Sequence, residues 1–328
     1  MKVTFWGSRG SIPTPTSGHA VREKVFQALK AAVGRSLETD AEINAFINET
    51  LPFSVRGHYG GNTSCLEISN PGGEIILCDA GSGIREFATR FMTTPRAGKP
   101  ATFHIFMSHL HWDHIQGFPF FVPAYIPGNR IIFHGFHQKM EEVFRRQMDC
   151  PWFPVPFETF QADIEFDVRA PGDTFSVGGF EIDAIEQSHP GVSYGYRFRK
   201  AGKRIVYSSD SEHRENAYED SYPFVEFFKD ADLLIFDAQY SLADATFDKA
   251  NWGHSSNVMG VELSARARAK HLVIFHHEPT NSDETLDKYL FNTRMYADIY
   301  FSENRVPKKA NRFPREISLA YDGMVVEI

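Results

Sequence analysis

Cysteine is nearly absent: three in 328 residues. Cys65, Cys78 and Cys150 are widely spaced and odd in number. They fit neither a disulfide framework nor a CxxC metal knuckle, so three buried free thiols are expected. Long apolar runs are also missing, and nothing approaches the ~20 residues needed to span a bilayer. The opening residues Met1 to Gly10 lack the apolar stretch and small-residue cleavage site of a secretory signal. No membrane association and a cytoplasmic location are the expectations. Positive charge is scarce too, with 34 Lys and Arg against 42 Asp and Glu, a net charge of −8. No basic block exceeds a local pair or triplet, which disfavours a long nucleic acid as partner, because phosphate backbones are bound by clustered positive charge. Finally, no repeat, low-complexity segment or Gly/Ser/Pro-rich linker divides the chain. One domain over residues 1–328 is expected, with homo-oligomerisation left open.

Two residue types are abundant instead: 30 phenylalanines and 14 histidines. Strand patterning covers Lys2–Trp6, Ser64–Ile68, Glu74–Cys78, Thr102–Met107, Ile131–Phe133, Ile164–Phe166, Phe180–Ile185, Ser193–Phe198, Arg204–Tyr207, Leu233–Phe236 and His271–Phe275. Helices are predicted over Ile84–Phe91 and Ser256–Ala269. Between the first two strands, Val21, Val25, Leu29, Ala32 and Val33 recur at helical spacing, and Ile43, Phe46 and Ile47 suggest a further helix. A helical insertion of about residues 18–53 follows, a candidate lid or subunit contact. Strands mixed with helices over one continuous chain favour an α/β sandwich.

A lone histidine at a strand end is ordinarily a hydrogen-bonded structural residue. The run His109-Leu110-His111-Trp112-Asp113-His114 is different, because four metal-competent groups fall directly after an apolar strand. In an extended segment side chains two apart share a face, so His109 and His111 can grip one ion. Asp113 and His114, where the chain turns into a helix, can face a second. His189, Asp210 and His276 each follow an apolar strand as well, and ligands on strand-end loops converge at one sheet edge. Asp210 is suited to give one oxygen to each of two ions. His254, in Trp252-Gly253-His254-Ser255-Ser256, precedes a helix and is a candidate phosphate contact or proton donor, with a helix-capping bond as the other reading. His277 and His213 neighbour ligands without being assigned as such. Phe118, Phe120, Phe121 and the stretch Trp152 to Phe157 are candidates to line a pocket for a ring-bearing ligand, or to pack as core and loop.

These residues resemble the metallo-β-lactamase superfamily, and within it the ribonuclease Z and class II cyclic-nucleotide phosphodiesterase branch. The resemblance rests on Phe5-Trp6-Gly7-Ser8-Arg9-Gly10-Ser11, Gly60-Gly61-Asn62-Thr63-Ser64, Asp79-Ala80-Gly81-Ser82-Gly83, the HxHxDH run, His189, Asp210 and His276. It implies an αββα fold, two sheets face to face with helices outside. It implies one metal on His109, His111 and His189, another on Asp113, His114 and His276, Asp210 between them, and Asp79 supporting a ligand histidine from behind. His277 is placed in the same supporting layer. Zinc is the expected metal for an imidazole-rich pair of sites, with manganese or iron as alternatives. Asp113 is also a candidate to orient the nucleophile or accept a proton. The chain departs from ribonuclease Z twice: Asp237-Ala238-Gln239-Tyr240 stands where those enzymes carry His-Glu-Ala-Thr, and the interval from His189 to Asp210 leaves no room for their tRNA-gripping arm. The reading is therefore a dinuclear phosphodiesterase acting on a small nucleotide-like or cyclic-nucleotide substrate. Hydrolysis of a lactone, thioester or β-lactam, and a non-catalytic metal sensor or carrier, are the alternatives.

Overall fold

Runs such as Ile75-Ile76-Leu77-Cys78 and Leu272-Val273-Ile274-Phe275 are apolar without alternation, the pattern of strands covered on both faces. In the computed structural model, which describes residues 1–70, 73–219, 221–304 and 312–328, these runs are covered in that way. The strands are β1 (Lys2–Gly7), β2 (Cys65–Ile68), β3 (Ile75–Cys78), β4 (Thr102–Phe106), β5 (Arg130–Gly135), β6 (Asp163–Val168), β7 (Phe175–Val177), β8 (Phe180–Gln187), β9 (Ser193–Lys200), β10 (Lys203–Ser208), β11 (Leu233–Asp237), β12 (His271–Phe275), β13 (Glu316–Leu319) and β14 (Val325–Glu327). They form two seven-stranded sheets, ordered β14-β1-β2-β3-β4-β5-β6 and β13-β12-β11-β10-β9-β8-β7.

Strand periodicity sorts the apolar residues into three layers. Phe5, Ile76, Cys78, Phe106, Tyr196, Tyr207, Ile235 and Phe275 fill the space between the sheets. Ile75, Leu77, Phe103, Ile105 and Phe133 turn outward beneath α4 (Gly83–Met92) and α6 (Met140–Arg146). Val206, Leu234, Phe236, Leu272 and Ile274 turn to the other outer side, under α7 (Pro223–Phe228), α8 (Asn257–Ala267) and α9 (Asp283–Glu303). This is the αββα sandwich. Much of the phenylalanine excess packs the first sheet's outer layer, where Phe118 and Phe121 are fully buried and Phe118 meets Phe133 edge-on at 4.9 Å. Of the two readings open for these rings, pocket lining or core, Phe118 and Phe121 take the core one, and Phe157 belongs to the same cluster. Phe120, Trp152 and Phe153 do line a groove of about 650 Å³ with Leu110 and Trp112. Cys65 and Cys78 are buried free thiols, but Cys150 is exposed, against expectation: it precedes a proline in the loop after α6, beyond reach of the core.

The edge that gathers the candidate ligands follows from strand direction. β3 to β6 run parallel, as do β10 to β13. Ligand sites in such sheets lie beyond the carboxyl ends of the strands. Asp79 follows β3, Ser108 to His114 follow β4, Asp210 follows β10, Asp237 ends β11 and His276 follows β12.

The insertion holds α1 (Gly18–Ala32), α2 (Asp40–Ala45) and α3 (Phe53–Arg56). Ser17 caps α1 through its side chain, and Thr39 with Glu42 forms a capping box on α2. No α1 residue is buried, and Val21, Val25, Phe26 and Leu29 all face solvent. The helix is held instead by polar contacts. Lys24 Nζ donates to the backbone oxygens of Ser54 and Gly57 and to Asp283 at the start of α9. Asp283 also accepts from Tyr59 N at 2.9 Å and faces His58 Nδ1 at 3.0 Å. Among the described residues, none from 18 to 53 lines a cavity beside the strand-end histidines.

Asp283 thus anchors the insertion. Burial opposes its charge, but His58 and Lys24 hold the carboxyl well below its ordinary range. Its contribution is therefore present above about pH 4 and drains away as pH falls through the lowered folded value. Asp283→Asn should cost roughly 1–3 kcal/mol and speed limited proteolysis within residues 18–56. Unchanged cleavage there would show that another contact holds the insertion.

Candidate metal centre

Tautomer control builds this site. A neutral imidazole whose Nδ1–H is fixed on an oxygen must present Nε2 as an electron pair. His114 Nδ1 donates to Asp79 Oδ2 at 2.7 Å, His189 Nδ1 to the Gly253 carbonyl at 2.8 Å and His276 Nδ1 to Gln239 Oε1 at 3.0 Å. In each ring Nε2 then turns inward. His189 Nε2 lies 3.0 Å from His111 Nδ1, and His276 Nε2 lies 3.3 Å from His114 Nε2. His109 Nε2 is buried with no hydrogen-bond partner.

The inward atoms fall into two groups. His109, His111 and His189 form one; Asp113, His114, Asp210 and His276 form the other, each with its ligand atoms within 4.8 Å of one another. Asp210 lies between. Its Oδ2 is 3.6 Å from His109 Nε2 and 3.8 Å from His189 Nε2, while its Oδ1 is 3.4 Å from His114 Nε2 and 3.3 Å from His276 Nε2. Asp113 Oδ2 sits 3.1 Å from His276 Nε2 and accepts from Ser11 N at 2.7 Å. All seven predicted ligand residues thus meet at one sheet edge.

The donor set fits divalent ions. Five imidazoles and two carboxylates converge, an inward ring nitrogen is orphaned, and buried polar groups without partners are costly. Burial penalises ionisation, yet Asp210, Asp113 and Asp79 push His114 well above the usual histidine range. Asp113 and Asp210 resist the same burial and are held well below theirs by His114 and His276. Burial and His114 push His109 down.

Behind the cluster, Asp79 accepts from Ser108 N and Oγ, both at 2.7 Å, and from Tyr207 Oη at 2.6 Å, besides His114. His277 differs from expectation. Its Nε2 donates to the Ala320 carbonyl at 2.7 Å, so the imidazole touches none of the cluster. Alternation along the chain turns it away from the side His276 faces. Its backbone matters more: His277 N donates to Ser8 O and its carbonyl accepts from Gly10 N, holding the loop that presents Ser11 N to Asp113.

His254 lies two residues before the Ser256 that caps α8, so it is not the capping residue. Its Nδ1 is 3.0 Å from Asp237 Oδ2 and 3.9 Å from Asp210 Oδ2, and its ring lies 5.1 Å from those of His189 and His276. Burial alone would lower its pKa, but Asp237 and Asp210 push it up to about 9. His213, in contrast, is buried among Phe224, Phe228 and Phe236, bonded to Tyr222 and pushed down to about 3 by burial. Asp237 and Gln239 were not assigned a role from sequence. Asp237 carried the same signal as Asp79 and Asp210, a carboxylate closing an apolar strand.

A β-lactamase superfamily domain matches residues 74–277. The chain belongs to the metallo-β-lactamase superfamily. It is a metal-dependent hydrolase of that superfamily, with relatives of the ribonuclease Z and phosphodiesterase type. The Bacillus subtilis protein named Probable metallo-hydrolase YhfI is 26% identical over 229 residues, 68% of this chain and 85% of that protein. Ribonuclease Z of Haloarcula marismortui is 24% identical over 311 residues, 80% of this chain and 90% of that enzyme. Among solved structures, YhfI superposes with a TM-score of 0.63 at 18% identity, covering 100% of this chain and 98% of that one. Human tRNase Z, short form, gives 0.59 at 20%, covering 100% and 99%. At these identities the structural likeness speaks for the fold. No helix of the described residues is long and apolar enough to cross a membrane.

Gly253 is a sensitive point beside His189. Its φ is +85°, and a Cβ there would sit 2.3 Å from His189 Nδ1 and 2.4 Å from Pro190 Cδ. Gly253→Ala should push His189 off the carbonyl that orients it and weaken metal affinity 10–100-fold, the usual consequence of losing an orienting partner. Competition with a chromogenic chelator measures this, and unaltered affinity would mean that His189 is positioned by something else.

Proposed function

We propose that the chain is a dinuclear phosphodiesterase acting on a small nucleotide-like or cyclic-nucleotide substrate. One ion is held by His109, His111 and His189, the other by Asp113, His114 and His276, with Asp210 shared. Zinc suits so many imidazoles, and manganese or iron suits the carboxylates. The observation that carries this reading is the division of Asp210: each of its oxygens faces a different histidine group. Two ions so placed supply Lewis acidity and a nucleophile active near neutral pH.

The chain's own residues account for the rest. Asp113, fixed by Ser11 N, is positioned to orient the nucleophile. His254, kept protonated by Asp237, stands at the cluster's rim with Nδ1 occupied and Nε2 available to deliver a proton to a departing alkoxide. This His254–Asp237 pair supplies an acid although Asp237-Ala238-Gln239-Tyr240 stands where ribonuclease Z carries its His-Glu-Ala-Thr motif. A small substrate is favoured over long RNA by the net charge of −8 and by the short link from His189 to Asp210.

Metal analysis after reconstitution should find close to two divalent ions per chain, and chelator should lower both activity and melting temperature, since binding to the folded state stabilises it. One ion or none at saturation would refute the dinuclear assignment. The same preparation should hydrolyse a chromogenic diester and some cyclic nucleotides or dinucleotides, with weak dependence on salt. Precursor tRNA should be cut poorly. Efficient, steeply salt-sensitive tRNA cleavage without small-diester activity would replace this reading, and lactone or thioester hydrolysis alone would replace the substrate class.

His254→Ala separates acid catalysis from metal binding. It should slow cleavage of diesters with alkoxide leaving groups by about 10²–10⁴-fold, and slow nitrophenyl diesters far less, because nitrophenolate departs unprotonated. Equal loss on both substrates would assign His254 to the metal cradle.

A further inference from the structure

Two cavities open where His189 and His254 meet the surface. The larger, about 660 Å³, is lined by Asn216, Tyr218, Leu242, His254, Ser255 and Met259 among others. The smaller, about 340 Å³, is lined by His189, Pro190 and Val192 among others. Glu212, Arg214 and Asn251 line both. Those three are bonded to one another: Arg214 Nη2 donates to Asn251 Oδ1 at 2.8 Å and to Glu212 Oε2 at 3.2 Å, and Asn251 N donates to Glu212 Oε1 at 3.1 Å. The bridge joins the loop after β10 to the loop before α8 and keeps a guanidinium at the junction of the cavities.

The larger cavity has the mixed lining of a small-molecule site, and its volume falls within the usual ~300–1,000 Å³. Tyr218 is 59% exposed at its rim, and Leu242, also exposed, lines the same cavity. Deeper in, Ser255 and His213 are only 3% and 8% exposed, and Ser255 Oγ and His213 Nε2 have no hydrogen-bond partner. Both residues line this cavity. Orphaned buried polar atoms on a cavity wall mark where a ligand's polar edge belongs.

We propose that this cavity is the subsite for the nucleoside of a nucleoside phosphate, the ring lying on Tyr218 with its polar edge toward Ser255 and Asn216, and the phosphate toward Arg214 and His254. This rests on the phosphodiester reading above. An aromatic face and a polar edge together suit a planar heterocycle, which stacks through its π-face whatever its sequence identity. The location is also the one the chemistry requires, since His254 lines the cavity. The aromatic groove of Trp112, Phe120 and Trp152 is the rival seat for a ring, but His254 does not line it, whereas His254 lines the cavity of Tyr218 and Ser255. A ring bound there would lie away from the proton donor.

The test is calorimetry on the metal-loaded protein with adenosine 5′-monophosphate, a short oligoadenylate and inorganic phosphate. Tyr218→Ala removes the stacking face, and Ala245→Trp fills the cavity without deleting a polar group. Each should weaken the monophosphate about tenfold or more while phosphate affinity stays as in the parent. Trp152→Ala should leave the monophosphate unaffected. A tighter oligoadenylate, with the same loss in the two variants, would place the nucleoside at an RNA end rather than in a free nucleotide and support the subsite equally. Monophosphate affinity indifferent to Tyr218→Ala and Ala245→Trp, or lost in Trp152→Ala, would overturn the proposal. Binding through this cavity by a protein that cleaves no diester would defeat only the reaction assigned above. Diester cleavage with variant-insensitive nucleotide binding would defeat only the subsite.

Discussion

A fully buried carboxylate, Asp79, is the constraint on which the site depends. Removed from water, it requires donors, and it takes them from both halves of the molecule. Ser108 offers its N–H and hydroxyl from the turn after β4, His114 offers its ring from the short helix beyond, and Tyr207 reaches across from the opposite sheet. Asp79 itself sits at φ +59°, which aims the carboxylate back across the strand ends. Sheet packing and ligand orientation are therefore one event. If the sheets slid by a residue, Tyr207 would leave Asp79, and His114 would lose the partner that sets its tautomer.

The convergence of the candidate ligands was legible because chemistry and pattern coincide there: His109 to His114 follow an apolar strand, and His189, Asp210 and His276 repeat the arrangement. What escaped depended on tertiary partners. Asp237 and Gln239 matter because of the histidines they face, and nothing local distinguishes Gln239 from any amide after a strand. α9 escaped for another reason. Its buried positions are only Leu286, Thr293, Ala297 and Phe301, while Phe291, Met295 and Ile299 point outward, so no single apolar stripe marks the helix. The short β7, β13 and β14 have too few residues to show a period. Phe118 and Phe120 are neighbours in sequence with opposite fates, one fully buried and one exposed, decided by a tight turn whose geometry composition does not encode.

The superfamily match over residues 74–277 leaves the substrate to the surroundings, since one metal centre can serve many hydrolyses. Those surroundings are asymmetric. On one flank the groove of Trp112, Trp152 and Phe120 is mainly apolar. On the other, arginine, amides and hydroxyls gather around His254. The hydrogen-bonded His254–Asp237 pair lies on that second flank, so the imidazole beside the histidine cluster and the polar wall belong to the same side of the molecule.

The long sequence separations in the site have a consequence for how the protein is made. His114 and His276 stand 162 positions apart yet 3.3 Å from each other, and Ser8, next to the loop that reaches Asp113, bonds Asp322 across 314 positions. Contacts so distant form only after most of the chain has been synthesised, and such topologies fold slowly. On the ribosome, His109 to His114 are exposed long before His276 and its β12 scaffold exist. A metal captured then would meet half a cradle. Correct loading must therefore wait for release of the finished chain, so maturation is set by the completion of folding as well as by the supply of ions.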